Sequence, residues 1–447
     1  MMLPDFFSVI KNVSPNNSQK STLYGKSIKV FVTQLSLTTK PGVRIPALQD
    51  VPAVALSSIL EEMASYPSLG KTLHQELSDP VLFMRMFIHH RNDLSVLENC
   101  LRKASLVGKP VVPDMVKNWC AMMTDENITP GSTSLVSTVE SAVQLGSYLL
   151  EAGWWFQSKE VLDIAFGMML RKKESRVYSN LRIECVQKVL RAEAQLDLRA
   201  KADATCNVLL ALVENVTDKA VLVQVFLEVA NHHFEANRLT ECHRWNTKAM
   251  ELITETTPVD IVIRALQMEA KCLFSLRRYD DGKLVISQAI HRARSTFGRQ
   301  HRRYADTLYT YGTCLLMTDD SFMIIDAISI LLETLFIFTK LYGKLTPQAA
   351  IIQSSLAYGL YYRDYISGKF ELALAYEYIM KATALAQQII PERRHFIIRC
   401  GEIRTMILDE WDEILAESGE AGGPTRMNNQ LLTIAEIKQK CRQNHPE

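Results

Sequence analysis

The chain has 447 residues, 47% of them apolar and 22% charged, with a formal net charge of +1. This is ordinary globular composition, with length for two or three compact domains or one extended repeat array. A near-neutral chain lacks the basic excess of most nucleic-acid-binding proteins, so no nucleic-acid partner is expected.

Residues 1–45 are rich in Ser, Thr, Asn and Lys, with β-leaning pieces such as SIKVFVTQLSL. They show no helical period, and a disordered or loosely held arm is expected. The opening MMLPDFFSVIKNVSP has no continuous apolar core, so no signal peptide is expected. From 46 to 128 the pattern is short and helical, cut by Pro67, Pro80, Pro110 and Pro113, which predicts a small helical N-terminal domain. Within it, SVLENCLRKA (95–104) sets Val96, Cys100 and Ala104 on one helical stripe behind Ser95.

Residues 130–417 read almost throughout as helices. The most apolar run, FMIIDAISILLETLFIF (322–338), carries Asp326 and Glu333 and predicts a buried helix rather than a membrane span. SGEAGGPTR opens a Gly-rich linker over 418–427, and 428–447 forms a C-terminal helix or tail. The nine cysteines are scattered, with no C-x-x-C pair. Cys185, Cys272 and Cys314 sit among apolar neighbours, as reduced core residues of a cytosolic protein do.

The central region repeats. Gly146, Ala230, Ala270, Gly312 and Ala357 each lie on one helix and precede a second helix with its own small residues, at intervals of 84, 40, 42 and 45 residues. The first interval is double, which predicts a degenerate unit near 178–215. Small residues let two antiparallel helices approach closely, and each pair must stack on a neighbour to cover its open apolar face. Trp155 stands in the aromatic slot that Tyr279 and Phe370 fill in other units, so the joint between helices accounts for it. Trp154 is one place off that slot, and the pattern leaves it open.

This small/large signature resembles tetratricopeptide repeats. The longer period and the turns STFGRQHRRYADTLYTYG (295–312) and KLYGKLTPQAA (340–350) resemble the kinesin-light-chain type. LGSYLLEAGWW, RARSTFGRQHRRYADTLYTYG and AYGLYYRDYISGKFELALAYEYIMKATALAQQIIPE together resemble the amyloid-precursor-tail-binding family, also called the amyloid protein-binding protein 2 family. The resemblance covers roughly 140–412 and, more weakly, 46–120; the loops after Asp319 and Gly368 are longer here.

It implies an all-α fold: a right-handed α–α superhelix of tetratricopeptide-like hairpins behind a small helical N-terminal domain. It also implies a cytoplasmic, microtubule-associated adaptor, peripheral on vesicle membranes or also nuclear. Such an adaptor binds the cytoplasmic tail of a transmembrane cargo protein and kinesin or microtubules. The alternative it implies is a substrate receptor of an elongin B/C- and cullin-dependent ubiquitin ligase. The stripe Val96, Cys100, Ala104 would then enter elongin.

No catalytic set, metal cluster or cofactor motif stands out, and a non-enzymatic protein without cofactor is expected. His89–His90 and His232–His233 are adjacent pairs, which point about 100° apart on a helix and do not chelate one metal. Two binding surfaces are expected instead. Counting one and four places from each small marker gives a peptide groove of Asn231, Phe234, Lys271, Phe274, Tyr358 and Tyr361, with Tyr309 and Tyr362 near them. Asn and Lys suit a peptide backbone or carboxylate, and Tyr adds flat contact area. The second is Arg292, Arg294, Arg299, Arg302 and Arg303 around His301, an acidic-partner patch or a solvated loop.

Overall fold

The structure, a computed structural model, describes residues 23–38, 43–90, 94–124, 135–170, 177–318, 320–367 and 372–417. The linker and C-terminal tail expected over 418–447 lie outside the described residues, as does Phe370. The described residues form nineteen α-helices, with a few 3-10 turns and no strand. The fold is all-α, a helical-repeat superhelix.

Contacts divide the chain into two compact units, Met1–Cys185 with Leu341–Leu345, and Val186–Lys340 with Thr346–Glu447. The first unit opens with α1 (Leu23–Thr38), α2 (Ala53–Met63), α3 (Gly70–Leu77), α4 (Pro80–His89), α5 (Ser95–Ala104) and α6 (Val112–Thr124). The arm expected without helical period over 1–45 therefore contains a helix. Tyr24, Ile28, Phe31 and Val32 are buried along one face of α1, and this packing outweighs the strand preference of its β-branched residues. Asp79 caps α4 by accepting from the Val81 amide at 2.9 Å. Arg85 ties the segment before α2 to α4 through the Gln49 and Val51 carbonyls.

Helical hairpins follow. The first is α7 (Leu135–Glu151) with α8 (Trp155–Leu170). Then come α9 (Val177–Gln195) with α10 (Arg199–Leu212), α11 (Lys219–Glu235) with α12 (Leu239–Glu251), and α13 (Val259–Ser275) with α14 (Tyr279–Phe297). The last pairs are α15 (Arg302–Leu315) with α16 (Ser321–Tyr342) and α17 (Pro347–Ser367) with α18 (Leu372–Ile389), followed by α19 (Arg394–Glu417). The unit boundary falls inside α9.

The turn inside the first four hairpins is one device used repeatedly. Gly153, Asp197, Asn237 and Arg277 all have positive φ, at 87, 57, 58 and 60°. The next amide bonds back to the first helix in each: Trp154 to Leu149, Leu198 to Glu193, Arg238 to His233 and Arg278 to Leu273, at 2.8–2.9 Å. This left-handed cap satisfies carbonyls that the ending helix leaves open. Asp and Asn tolerate it well, whereas Arg277 occupies it at a cost of about 1 kcal/mol.

Seven places before each turn lies the crossing residue: Gly146, Leu190, Ala230 and Ala270. A Cβ on Gly146 would stand 2.6 Å from the Leu162 side chain, and the Ser158 hydroxyl donates to the Gly146 carbonyl at 2.7 Å. In the α9–α10 hairpin the bulk is reversed. Leu190 fills the slot, and the corresponding second-helix residues are the small Ala202 and Cys206, all buried. This is why the unit near 178–215 carries no visible marker. In α13–α14 the close approach moves to Gly282, where a Cβ would stand 2.6 Å from the Phe274 ring. Trp154 and Trp155 are each 4% exposed, so both are interior residues and neither offers an outer binding surface.

The helix expected to be buried over 322–338 is buried on one face only. Ile324, Ala327, Leu331, Thr334, Ile337 and Phe338 of α16 face inward. A third of its most apolar 18-residue window is buried, and among the described helices it alone is long and apolar enough to cross a membrane.

Ion pairs link successive hairpins. Glu228 of α11 is held by Arg264 of α13 and lies 3.9 Å from Arg191 of α9. Asp203 of α10 bonds the side chains of Arg238 and His232, which, with the larger part from Arg238, hold its carboxyl below the usual range.

Two outcomes follow from these contacts. Gly282→Ala should lower stability by about 1–3 kcal/mol through overpacking, and Phe274→Leu in the same chain should restore part of it, read as thermal midpoints. A depressed carboxyl contributes stability above its unfolded pKa and loses it as pH falls through the folded value. Wild type should therefore lose more stability than Asp203→Asn between about pH 5 and pH 3, measured by urea unfolding.

Candidate functional site

The second unit presents a surface lined by the first helix of each hairpin. One and five places after each crossing residue, side chains lie about 100° and 140° around the helix from the joint. These places hold Arg191 and Gln195 on α9, Asn231 and Glu235 on α11, Lys271 and Ser275 on α13, and Tyr358 and Tyr362 on α17; Thr313 takes the first of them on α15. Neighbouring rows touch. The Gln195 amide donates to Glu235 at 3.2 Å, and the Lys271 ammonium sits 5.0 Å above the Phe234 ring. Away from these rows, the Gln267 amide donates to the buried Thr307 hydroxyl at 2.8 Å and ties α13 to α15. Tyr358 and Tyr362 stack at 5.9 Å, and Tyr362 stacks on the exposed Tyr365 at 6.5 Å.

The start of α19 reaches the same surface. His395 lies 3.5 Å from Asp197. The guanidinium of Arg393 is buried beside Glu235, Tyr309 and Asp197; burial lowers its pKa, and the two carboxylates oppose that shift. Burial also raises the Tyr309 phenol, against a hydrogen bond to Ser355. Carboxylates, guanidinium groups, amides and hydroxyls thus gather on one face of the second unit. Arg393 and Arg399 carry no repeat position, and the sequence gives no signal that they approach residues so distant in the chain. Gln195 and Glu235 are found by counting five places from the crossing residue instead of four.

The expected groove residues divide. Asn231, Lys271, Tyr309, Tyr358 and Tyr362 are half-buried on or beside this face. Phe274 is 1% exposed, with its ring 5.8 Å from that of Tyr279, inside the hairpin joint. Tyr361 is buried in the core that joins α17, α18 and α19. Phe234 packs on the α11–α13 core beneath Lys271. The reason is angular. Four places bring the side chain to about 40° from the crossing residue, back toward the joint.

The residues of the basic cluster differ in exposure. Arg292, Arg294 and Arg299 are exposed. Arg303 reaches to 3.8 Å from Asp260 of α13, and Arg302 is half-buried. His301 caps α15 by accepting from the Arg303 amide at 3.1 Å, and its ring stacks on Phe297 at 4.7 Å.

The stripe on α5 is turned inward. Cys100 and Ala104 are completely buried against the helical core of the first unit, and Val96 is half-buried. Burial pushes the Cys100 thiol up to about 12. As folded, this stripe offers no groove-filling face to elongin. Among the described residues no group of three His, Cys, Asp or Glu could hold a metal ion.

No family model matches the chain. It is similar to the amyloid protein-binding protein 2 of Rattus norvegicus and of Mus musculus, each 25% identical over 278 residues, which cover 61% of this chain and 46% of the relative. The chain thus spans less than half the length of these curated relatives. Among solved structures it is similar to BtubC (BKLC) from P. vanneervenii, at 15% identity and a TM-score of 0.35 over 68% of this chain and 99% of that one. It is also similar to a Signal Transduction ATPase with Numerous Domains protein with a tetratricopeptide repeat sensor from Pyrococcus horikoshii, at 12% identity and a TM-score of 0.39 over 93% and 69%.

Cys100→Asp should destabilise the first unit by about 3 kcal/mol or more, because it buries a charge without a partner. A thermal midpoint unchanged from wild type would show that this position is not in the core.

Proposed function

We propose that this chain is a non-enzymatic helical-repeat adaptor. Its first-helix surface in the second unit holds an extended segment of a protein partner, the cytoplasmic tail of an amyloid-precursor-like transmembrane protein. The observation that carries the reading is the row of polar and aromatic groups at equivalent places on successive helices. Packed helices stand about 8–10 Å apart, and an extended peptide advances about 3.3 Å per residue. Every third residue of a bound segment therefore meets the next helix. Asn231 offers both a donor and an acceptor to peptide backbone. Lys271, fixed above Phe234, offers a point charge to a carboxylate. The stacked Tyr358 and Tyr362 offer contact area at low entropy cost. The similarity to proteins named for amyloid protein binding supports the choice of partner.

The adaptor reading extends to a cytoplasmic protein that couples this cargo to kinesin or microtubules. The support for that half is the resemblance of the repeat and its Phe297–Gly298 and Tyr342–Gly343 turns to kinesin light chains; both glycines have positive φ, at 85 and 89°. Microtubule pelleting with kinesin heavy chain tests it directly. Retention of the chain in the supernatant would contradict it.

The cargo half is tested with a fluorescent peptide of the amyloid precursor cytoplasmic tail, titrated by anisotropy. Saturable binding is expected. Lys271→Glu should weaken it about tenfold or more, equivalent to about 1.4 kcal/mol, while Arg292→Glu leaves it within about twofold. Equal affinity of Lys271→Glu and wild type would remove this face as the site.

A further inference from the structure

Helix α16 spends its apolar residues unevenly. One face makes the joint with α15, where a Cβ on Gly312 would stand 2.9 Å from Leu331. On the opposite face Phe322 is 78% exposed, Ile325 53%, Leu332 43% and Phe336 65%. With Ser329 these residues recur at three- and four-residue intervals, the a/d spacing of a helix seam. They fall within about 80° of one another on the helix. Two large aromatic side chains left in water on one regular stripe are costly, and an exposed contiguous apolar stripe of this kind marks an interaction surface.

The edge of the stripe indicates its partner. Asp326 and Glu333 are exposed two turns apart along one side of it. Asp326 has no ion-pair partner among the described residues, and Glu333 accepts only a long bond, 3.4 Å, from the Tyr304 hydroxyl. Lys340, the cation of the same edge, keeps its charge while donating to Gln300, but it lies a full turn beyond Phe336, outside the stretch that the anchors span. A second copy of α16 laid antiparallel about the Ser329–Ile330 peptide would bring Asp326 and Glu333 of one chain level with Glu333 and Asp326 of the other, and like charges would oppose it. A helix with a matching apolar stripe and Lys or Arg along its edge meets both the apolar row and the acids.

We propose that the outer face of α16 is a second docking surface, separate from the first-helix face, which takes a basic amphipathic helix of a partner protein. Such a surface would let one chain hold an extended segment on its first helices and a helix on α16. The anchors from Phe322 to Phe336 span about 21 Å, so the partner helix needs about four turns.

The test uses a Leu/Lys peptide of about 18 residues with Leu at three- and four-residue spacing, a Leu/Glu peptide of the same pattern, and a scrambled Leu/Lys control. Binding to the full chain is read by calorimetry. The variants are Phe322→Ser/Phe336→Ser and, with the apolar row intact, Asp326→Lys. Circular dichroism checks that both remain folded. The Leu/Lys peptide should bind wild type saturably, at least tenfold more tightly than the other two peptides. The double variant should lose at least tenfold, and Asp326→Lys should weaken the Leu/Lys peptide while strengthening Leu/Glu. No binding, or equal binding by wild type and both variants, would overturn the proposal. So would a dimer in sedimentation that the double variant abolishes, which would assign the face to a second copy. Pelleting with phosphatidylcholine vesicles that the double variant abolishes would assign it to a lipid surface and overturn the proposal equally.

Discussion

The architecture depends on how closely the two helices of each hairpin cross. A crossing at van der Waals contact needs one side to give up bulk. Gly146 does so for Leu162, and Gly282 for Phe274. Leu190 inverts the exchange, with Ala202 and Cys206 opposite. What each joint keeps is the total volume, not the identity of any residue. The left-handed turn seven residues further on precedes the second helix in four successive units. Together these two constraints fix the direction in which every other side chain of the first helix points.

Binding geometry is a consequence of that direction. A residue four places from the crossing belongs to the joint, and residues one and five places away face outward from it. Successive hairpins present those places in parallel rows, which neighbours such as Gln195 and Glu235 stitch together. The start of α19 then brings Arg393, His395 and Arg399 to a face already lined by α9, α11 and α15. The result is a mixed polar and aromatic face, suited to backbone and side-chain recognition of an extended segment.

Much of this was legible in the sequence, because small residues at the crossing recur at about forty-residue intervals and announce the repeat. The places that misled it share a physical cause. Phe274 and Tyr361 are aromatic residues on the right helices, and composition does not say whether a ring fills a joint or faces a partner; the helical angle does. Val96, Cys100 and Ala104 make a regular stripe, and a stripe is as much the signature of a buried face as of a docking face. The strand-like SIKVFVTQLSL folds as part of α1 because Ile28, Phe31 and Val32 find a core. Arg393 could not be found by any local rule, since its neighbours come from the far end of the array. In α16 the apolar content was legible, but only the packing divides it between a joint and an exposed row.

Hydrogen–deuterium exchange of the full chain, with and without a saturating peptide of the amyloid precursor cytoplasmic tail, addresses the central claim most directly. The account predicts added protection at the C-terminal halves of α11, α13 and α17 and at the start of α19, with α1–α6 unchanged. Protection confined to the first unit, or none at any first helix of the second, would contradict it.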